Sequence, residues 1–170
     1  EHFSEKFGRR SYNSNEFSDN GYHEALNGEL LEQFESVKKY GGFYISRYNI
    51  SKNSEGKPQS VKGVKPWVNI NFDDAKKIAS TIEDNEAVKS HLTFGAEYDS
   101  VLECSRQAGK LLVEFVKDSN EWTQECYRSS YHVFRGRFHD SYGFYYPFDF
   151  RGISMSATNL TGFRAALYIK

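Results

Sequence analysis

The chain has 170 residues, a mass of 19.7 kDa, a formal net charge of -1 and a pI near 6.6. That length supports one domain with a sizeable core, and the balanced charge leaves no electrostatic footprint for nucleic acid. Mean hydropathy is -0.71 and no apolar run approaches the roughly 20 residues of a spanning helix, so membrane insertion is not expected. Residues 1–21 are polar, rich in Ser and Asn, and without periodicity, which reads as a flexible or partner-docked arm. Its opening, Glu1-His2-Phe3-Ser4, lacks the basic-then-apolar plan of a signal peptide, and a start on Glu1 reads as a processed or excised piece. A helix is predicted from about residue 22 to 39, with Leu26, Leu30, Leu31, Phe34 and Val37 at three-to-four spacing and Gly41-Gly42 as its stop. Residues 43–50 carry a strand signal, and the polar, Gly- and Lys-rich 51–65 reads as a loop. After a short extended stretch at 68–70, Asn71 can cap a helix over about 72–82, with Asp73 and Asp74 in its first turn. A further helix is predicted over 95–107, with Tyr98, Val101 and Leu102 on one face, and strands over 111–116, 131–135 and 162–169. This order defines an α+β plan.

The most informative stretch is 127–154, which contains no Lys, Glu, Gln, Met or Trp although Lys and Glu are common elsewhere. Into it fall Tyr131, Phe138, Tyr142, Phe144, Tyr145, Tyr146, Phe148 and Phe150, mixed with Ser, Asp, Arg and Gly. Flat aromatics among short hydrogen-bonding side chains make the composition of a paratope, where rigid groups supply area and small polar ones adapt. Tyr and Phe also favour strands, so a β-rich core segment is the competing reading.

Catalytic and metal signals are weak by comparison. Cys104 and Cys126 stand outside any CxxC, and two readings stay open: a bridge across the 21 intervening residues, or two buried thiols. His2, His23, His91, His132 and His139 show no metal spacing, and the adjacent His139-Asp140-Ser141 is not a triad, because a triad is spatial.

Six segments, taken in order, resemble the formylglycine-generating-enzyme-type branch of the C-type lectin fold. Gly41-Gly42-Phe43-Tyr44-Ile45-Ser46-Arg47-Tyr48 is similar to the family's opening strand, with Asn49-Ile50-Ser51 where Glu-Val-Thr is usual. Pro66-Trp67-Val68-Asn69-Ile70-Asn71-Phe72-Asp73-Asp74-Ala75 resembles the entry to the first family helix. His91-Leu92-Thr93-Phe94-Gly95-Ala96-Glu97-Tyr98 stands where family enzymes read Arg-Leu-Pro-Thr-Glu-Ala-Glu-Trp. Glu121-Trp122-Thr123 resembles the end of Gly-Asn-Val-Trp-Glu-Trp-Thr. Val133-Phe134-Arg135-Gly136 resembles Val-Leu-Arg-Gly-Gly with Arg137 at the second Gly, and Gly162-Phe163-Arg164 is similar to the C-terminal signature. The resemblance covers residues 41–170 and is nearest to phage and prophage proteins of that branch. It implies a C-type-lectin-like α+β domain over residues 22–170, with a small twisted antiparallel sheet, flanking helices and extensive ordered loops. Trp67, Trp122, Phe163 and Arg164 are expected to be scaffold.

The oxidising enzymes of the family carry two cysteines in the loop before Gly-Phe-Arg, as soft sulfur ligands for copper. Here that loop reads Tyr142-Gly143-Phe144-Tyr145-Tyr146-Pro147-Phe148-Asp149-Phe150-Arg151, without cysteine, so no catalysis and no cofactor are expected. Where the enzymes' calcium-binding stretch would stand, this chain has Lys117-Asp118-Ser119-Asn120; Asp118 and Glu121 offer oxygens to a hard cation, but no metal is assigned.

The same branch includes variable proteins of diversity-generating retroelements, in which adenine-directed mutagenesis rewrites a cassette near the 3′ end of the gene. AAC and AAT codons altered at their adenines cannot yield Lys, Glu, Gln, Met or Trp, the five types missing from 127–154. The resemblance therefore implies a non-catalytic receptor- or ligand-binding protein of a phage or prophage, at a virion tail tip or cell surface, with recognition loops at about 127–154. Its contact residues are expected to be Arg137, Phe138, His139, Asp140, Ser141, Tyr142, Phe144, Tyr145, Tyr146, Phe148 and Asp149. The partner is a host or environmental surface macromolecule, protein or glycan, and the N-terminal region would serve homo-oligomerisation or attachment to a larger particle. Two alternatives stand beside this. One is an enzyme of the same fold using His132 or His139 with Asp140 or Asp149; the other is a structural virion subunit whose aromatics are all core.

Overall fold

The computed structural model describes residues 22–23, 28–107, 119–127, 131–136 and 151–170. In chain order these form β1 (Tyr22–His23), α1 (Gly28–Tyr40), β2 (Tyr44–Ile45), β3 (Ser51–Lys52), β4 (Pro58–Gln59), α2 (Phe72–Ala79), β5 (Val88–Leu92) and α3 (Gly95–Gln107). There follow β6 (Asn120–Tyr127), β7 (Tyr131–Arg135), β8 (Arg151–Ser154), β9 (Thr161–Phe163) and β10 (Ala165–Ile169). The architecture is α+β, as the element order predicts.

β6 is the hub. It pairs antiparallel with β7, which pairs with β8; on its other edge β9 runs parallel to its first three residues and β1 antiparallel to its last two. A second sheet has the order β2-β10-β5, all antiparallel, and β3 pairs with β4 alone. The sheets meet at Gln124, beside the bulge in β6: its amide donates to the Thr93 carbonyl at 3.1 Å and its side chain to the Leu92 carbonyl at 2.8 Å. A bulge bends its strand, and here it turns β6 toward the neighbouring sheet.

The main core lies between α2 and these sheets. Ile50, Ile70, Ala75, Ala79, Leu92, Trp122, Phe163 and Ala165 are buried together, with Trp67, Phe72 and Phe134 packed against them. Trp122 meets Phe72 and Phe134 edge-on, at 6.3 and 6.0 Å between ring centroids, and its indole N–H donates to the Ile70 carbonyl. Burial of each such side chain contributes about 1.5–3 kcal/mol. A smaller cluster of Leu30, Phe94, Ala96 and Phe34 seats α1, and Tyr98 and Leu102 with Val101 and Ile45 seat α3.

The local signals for α2 and α3 hold. Asn71 caps α2 by accepting from the Asp74 amide at 2.8 Å. α3 spans its predicted residues, and Glu97 in its first turn reaches back to the Phe94 amide at 2.9 Å, half of a capping box. Five expectations need correction. Tyr22–His23 does not begin a helix but is a strand on β6; the described helix α1 runs from Gly28, and Leu26 lies outside the described residues. The buried stripe of α1 includes Leu30, Gln33 and Ser36, leaving Leu31 exposed. The strand expected over 43–50 shrinks to β2, while the expected loop at 51–65 contains the β3–β4 hairpin. The closing strand over 162–169 is two strands in different sheets, divided at Arg164. The strand predicted over 111–116 lies outside the described residues.

Candidate functional site

The expected contact residues Arg137, Phe138, His139, Asp140, Ser141, Tyr142, Phe144, Tyr145, Tyr146, Phe148 and Asp149 lie outside the described residues. The described strands on either side fix where that segment is attached. β7 and β8 pair from His132↔Ser154 to Arg135↔Arg151. Paired Cα atoms stand about 4.5–5.5 Å apart, so the chain leaves the sheet at Gly136 and re-enters it at Arg151 in almost the same place. Two glycines flank this point. Gly136 has φ +121, and a Cβ there would meet the Ser119 carbonyl at 3.3 Å. Across the β7–β8 pair the Phe134 ring lies over Gly152, where a Cβ would fall 2.1 Å from the ring.

Beneath this point sits a buried ionic cluster. Arg135 is fully buried; its Nη2 donates to Asp99 Oδ1 at 2.6 Å and its Nη1 to Glu125 Oε2 at 3.0 Å. The guanidinium lies 4.9 Å from the Tyr98 ring centroid, and Thr123 Oγ1 also donates to Glu125. Burial pushes the Tyr98 hydroxyl above the ordinary tyrosine range, reinforced by the charge of Glu121, so it stays protonated. The alternation of β7 places Val133 and Arg135 on one face, and the N-terminal half of α3 supplies Tyr98 and Asp99 opposite them. Removing one member of such a cluster costs about 3–5 kcal/mol, because the remaining charge is left without its partner in the interior.

A second cluster lies one strand away. Arg164 Nε and Nη2 donate to the two Glu121 oxygens at 3.0 and 2.7 Å, and Nη1 donates to the Ser46 carbonyl at 2.6 Å. Asn49 joins through Arg164 Nη2 at 3.5 Å and through a hydrogen bond to Ser119 Oγ. Arg164 thus ties the junction of β9 and β10 to the 46–49 segment, the role expected of scaffold. Trp122 and Phe163 are buried core rings, and Trp67, half-buried, packs on Phe163. Both Glu121 oxygens are engaged by Arg164, so of the two oxygen donors named for a hard cation one is an ion-pair partner and the other, Asp118, lies outside the described residues. Among the described residues no group of three or more His, Cys, Asp or Glu is placed to hold a metal ion.

Of the residues named for an alternative catalytic site, His132 is the one among the described residues. His132 stacks on Phe72 at 3.7 Å with the rings 6° from parallel, and burial holds its imidazole below the ordinary range. His139, Asp140 and Asp149 lie outside the described residues. His91, buried, faces Glu97 at 2.9 Å, an internal pair between β5 and α3. Neither cysteine is in a disulfide and neither is buried: Cys104 is exposed and Cys126 half-buried.

A groove of ≈ 840 Å³ lies between α1 and the end of β10, lined among others by Glu32, Tyr40, Asp84, Lys89, Tyr168 and Lys170. Its charges are largely matched internally. The Tyr168 hydroxyl donates to Glu32 at 2.5 Å and, with Lys89, holds the Glu32 carboxyl below its usual range; Lys170 pairs with Asp84 at 2.7 Å. Lys170 stands six residues beyond Arg164, about 20 Å along an extended strand, so the groove is at the end of β10 remote from the ionic clusters. Only side chains scattered from Glu32 to Lys170 line it, and no local motif marks such a feature. No protein-family model matches this chain, and no characterised protein or solved structure is significantly similar to it.

Proposed function

We propose that this chain is a non-catalytic ligand-binding protein with a C-type-lectin-like fold of the formylglycine-generating-enzyme type, in which the segment between β7 and β8 is the binding face. On this reading it is a diversity-generating retroelement variable protein of a phage or prophage, displayed at a virion tail tip or cell surface. Its ligand is a surface macromolecule of a host or of the environment, protein or glycan. The observation that carries the reading joins sequence to fold. A segment dense in Tyr and Phe, with Ser, Asp, Arg and Gly and none of Lys, Glu, Gln, Met or Trp, hangs from one pinned point on a rigid strand pair. Binding loops are commonly carried on a rigid scaffold in this way. Aromatic anchors desolvated in the contact would supply most of the affinity, with short polar groups adapting around them. Display in several copies would multiply weak single-site binding.

The test replaces Tyr142, Tyr145 and Tyr146 singly by Ser and measures unfolding free energy. Contact residues change stability by no more than about 0.5 kcal/mol. Losses of about 3–5 kcal/mol at each position, the size expected for emptying a core site, would overturn the reading in favour of a structural subunit. The gene neighbourhood gives an independent test: the retroelement reading requires a near-copy of the segment encoding 127–170, differing from it only at adenines of the copy, beside a reverse transcriptase.

A further inference from the structure

The segment from residue 47 to 65 carries Arg47, Lys52, Lys57, Lys62 and Lys65 against the single acid Glu55, a net of +4. The whole chain sums to -1, so everything outside this segment sums to -5. All five basic residues are exposed, as are Val61, at 44%, and Val64, at 39%. The segment is a built structure. β3 and β4 pair, and Asn53 Oδ1 accepts from the Glu55 and Lys57 amides at 2.9 and 2.8 Å. Ser60 Oγ accepts from the Tyr48 amide and donates to the Tyr48 carbonyl, and Lys52 lies 4.1 Å over the Trp67 ring.

Its base is anchored where the proposed binding segment departs. Asn49, next to Tyr48, bonds Ser119, whose carbonyl lies 3.3 Å from where a Gly136 Cβ would stand. One hydrogen bond therefore ties the foot of the basic hairpin to Ser119, the residue whose carbonyl borders Gly136 at the exit of β7.

We propose that residues 47–65 form a fixed, charge-reading surface near the end of β7, and that the ligand it takes is an acidic polysaccharide bearing repeated carboxylate, sulfate or phosphate groups. A ligand shared with the segment between β7 and β8 rests on the reading above; the polyanion site does not. Four of the five charges are lysines, compact ammonium groups without the planar fork that selects a single carboxylate bidentately. They are spread over two turns of an exposed hairpin, an arrangement suited to a repeating anion that meets them one after another. A single-stranded nucleic acid fits less well, since it needs open rings for base stacking and both rings at this segment carry a cation, Lys52 over Trp67 and Arg47 over Tyr48. An acidic protein interface draws on buried aromatic and Arg anchors, and this segment presents valines and one arginine.

The experiment measures retention of the full chain on immobilised heparin at physiological salt, beside columns of duplex DNA and polyglutamate. Wild type is expected to be retained most strongly on heparin. Lys57→Glu with Lys65→Glu takes the segment from +4 to zero and lowers that affinity about tenfold or more, an effect that fades as salt is raised. Lys76→Glu with Lys77→Glu on α2 makes the same change in total charge and leaves retention near wild type. Absence of retention, equal losses in the two double variants, or stronger lysine-dependent retention on DNA or polyglutamate would each overturn the assignment. Heparin retention reads the lysines alone, whereas the tyrosine substitutions read the loop, so the two proposals fail separately.

Discussion

Replacing Arg164 while leaving Glu121 in place tests how strongly the scaffold depends on its buried charges. The two side chains are 1% and 3% exposed and share two hydrogen bonds, and Arg164 also satisfies the Ser46 carbonyl. Arg164→Met strands a carboxylate in the interior, which costs about 3–5 kcal/mol. Glu121→Met strands the guanidinium and costs a similar amount, about 3–5 kcal/mol. The double variant removes both charges and leaves chiefly the Ser46 carbonyl without its donor, a loss of about 1–3 kcal/mol. The singles therefore sum to well above the double, with a coupling energy of about 3 kcal/mol or more. A domain of this size is stable by about 5–15 kcal/mol, so each single removes a large share of the total. Urea unfolding followed by the fluorescence of Trp67 and Trp122, both packed in the main core, reads all four proteins. Additivity within about 0.5 kcal/mol would show that the two groups act independently and refute the reasoning.

Two further predictions follow from the same region. Gly136→Ala forces a side chain into a backbone conformation at φ +121 and against the Ser119 carbonyl, so it lowers stability by about 1–3 kcal/mol, whereas an unchanged urea midpoint would mean that β7 ends differently. Because burial lowers the His132 pKa, below the ordinary value of 6.5 the unfolded chain binds the proton more readily than the folded one. Stability then begins to fall as pH drops through about 6.5 and the loss levels off below the folded-state pKa. His132→Phe, which keeps a ring against Phe72, should flatten the change in urea midpoint between about pH 7.5 and about pH 5, and an unaltered slope would exclude His132 as its source.

What could be read from the sequence depended on whether the partners of a residue were local. α2 and α3 are specified by cap, first-turn acids and three-to-four spacing, all within a dozen or so residues; α3 has its expected bounds, and α2 starts where expected but ends at Ala79, three residues short of 82. β6 was not legible as a strand. Its buried residues include Asn120, Glu121, Thr123 and Glu125, which look like a polar surface because Glu121 and Glu125 are neutralised by Arg164 and Arg135, brought in by other strands. The same cause hid the break between β9 and β10. Nothing in Gly-Phe-Arg-Ala-Ala signals a turn, and the change of sheet occurs at an arginine held by tertiary contacts. Tyr22–His23 shows the converse, a plausible helix extension recruited as a strand by Cys126 and Tyr127. For the candidate site, composition marked the segment between β7 and β8, and the strand register adds that its two ends are pinned together.

A loop can be rewritten without loss of the fold only if its anchors are held by something other than the loop. Apolar packing alone holds a strand end loosely, because methylene contacts have no preferred direction. Directional bonds between charged groups are better suited, and they concentrate here: Asp99, Glu121 and Glu125 each meet a guanidinium where β6, β7 and β10 converge. Their net contribution to stability is small, since desolvation offsets much of the attraction. Their geometric contribution is large, because a register shift of one residue in β7 would separate Arg135 from both of its carboxylates and turn a buried charge to the opposite face. On this argument the ionic clusters serve less to stabilise the domain than to keep the departure and return of the 137–150 segment in a single register. That requirement is independent of which side chains the segment carries, and a binding protein with a variable face would need it.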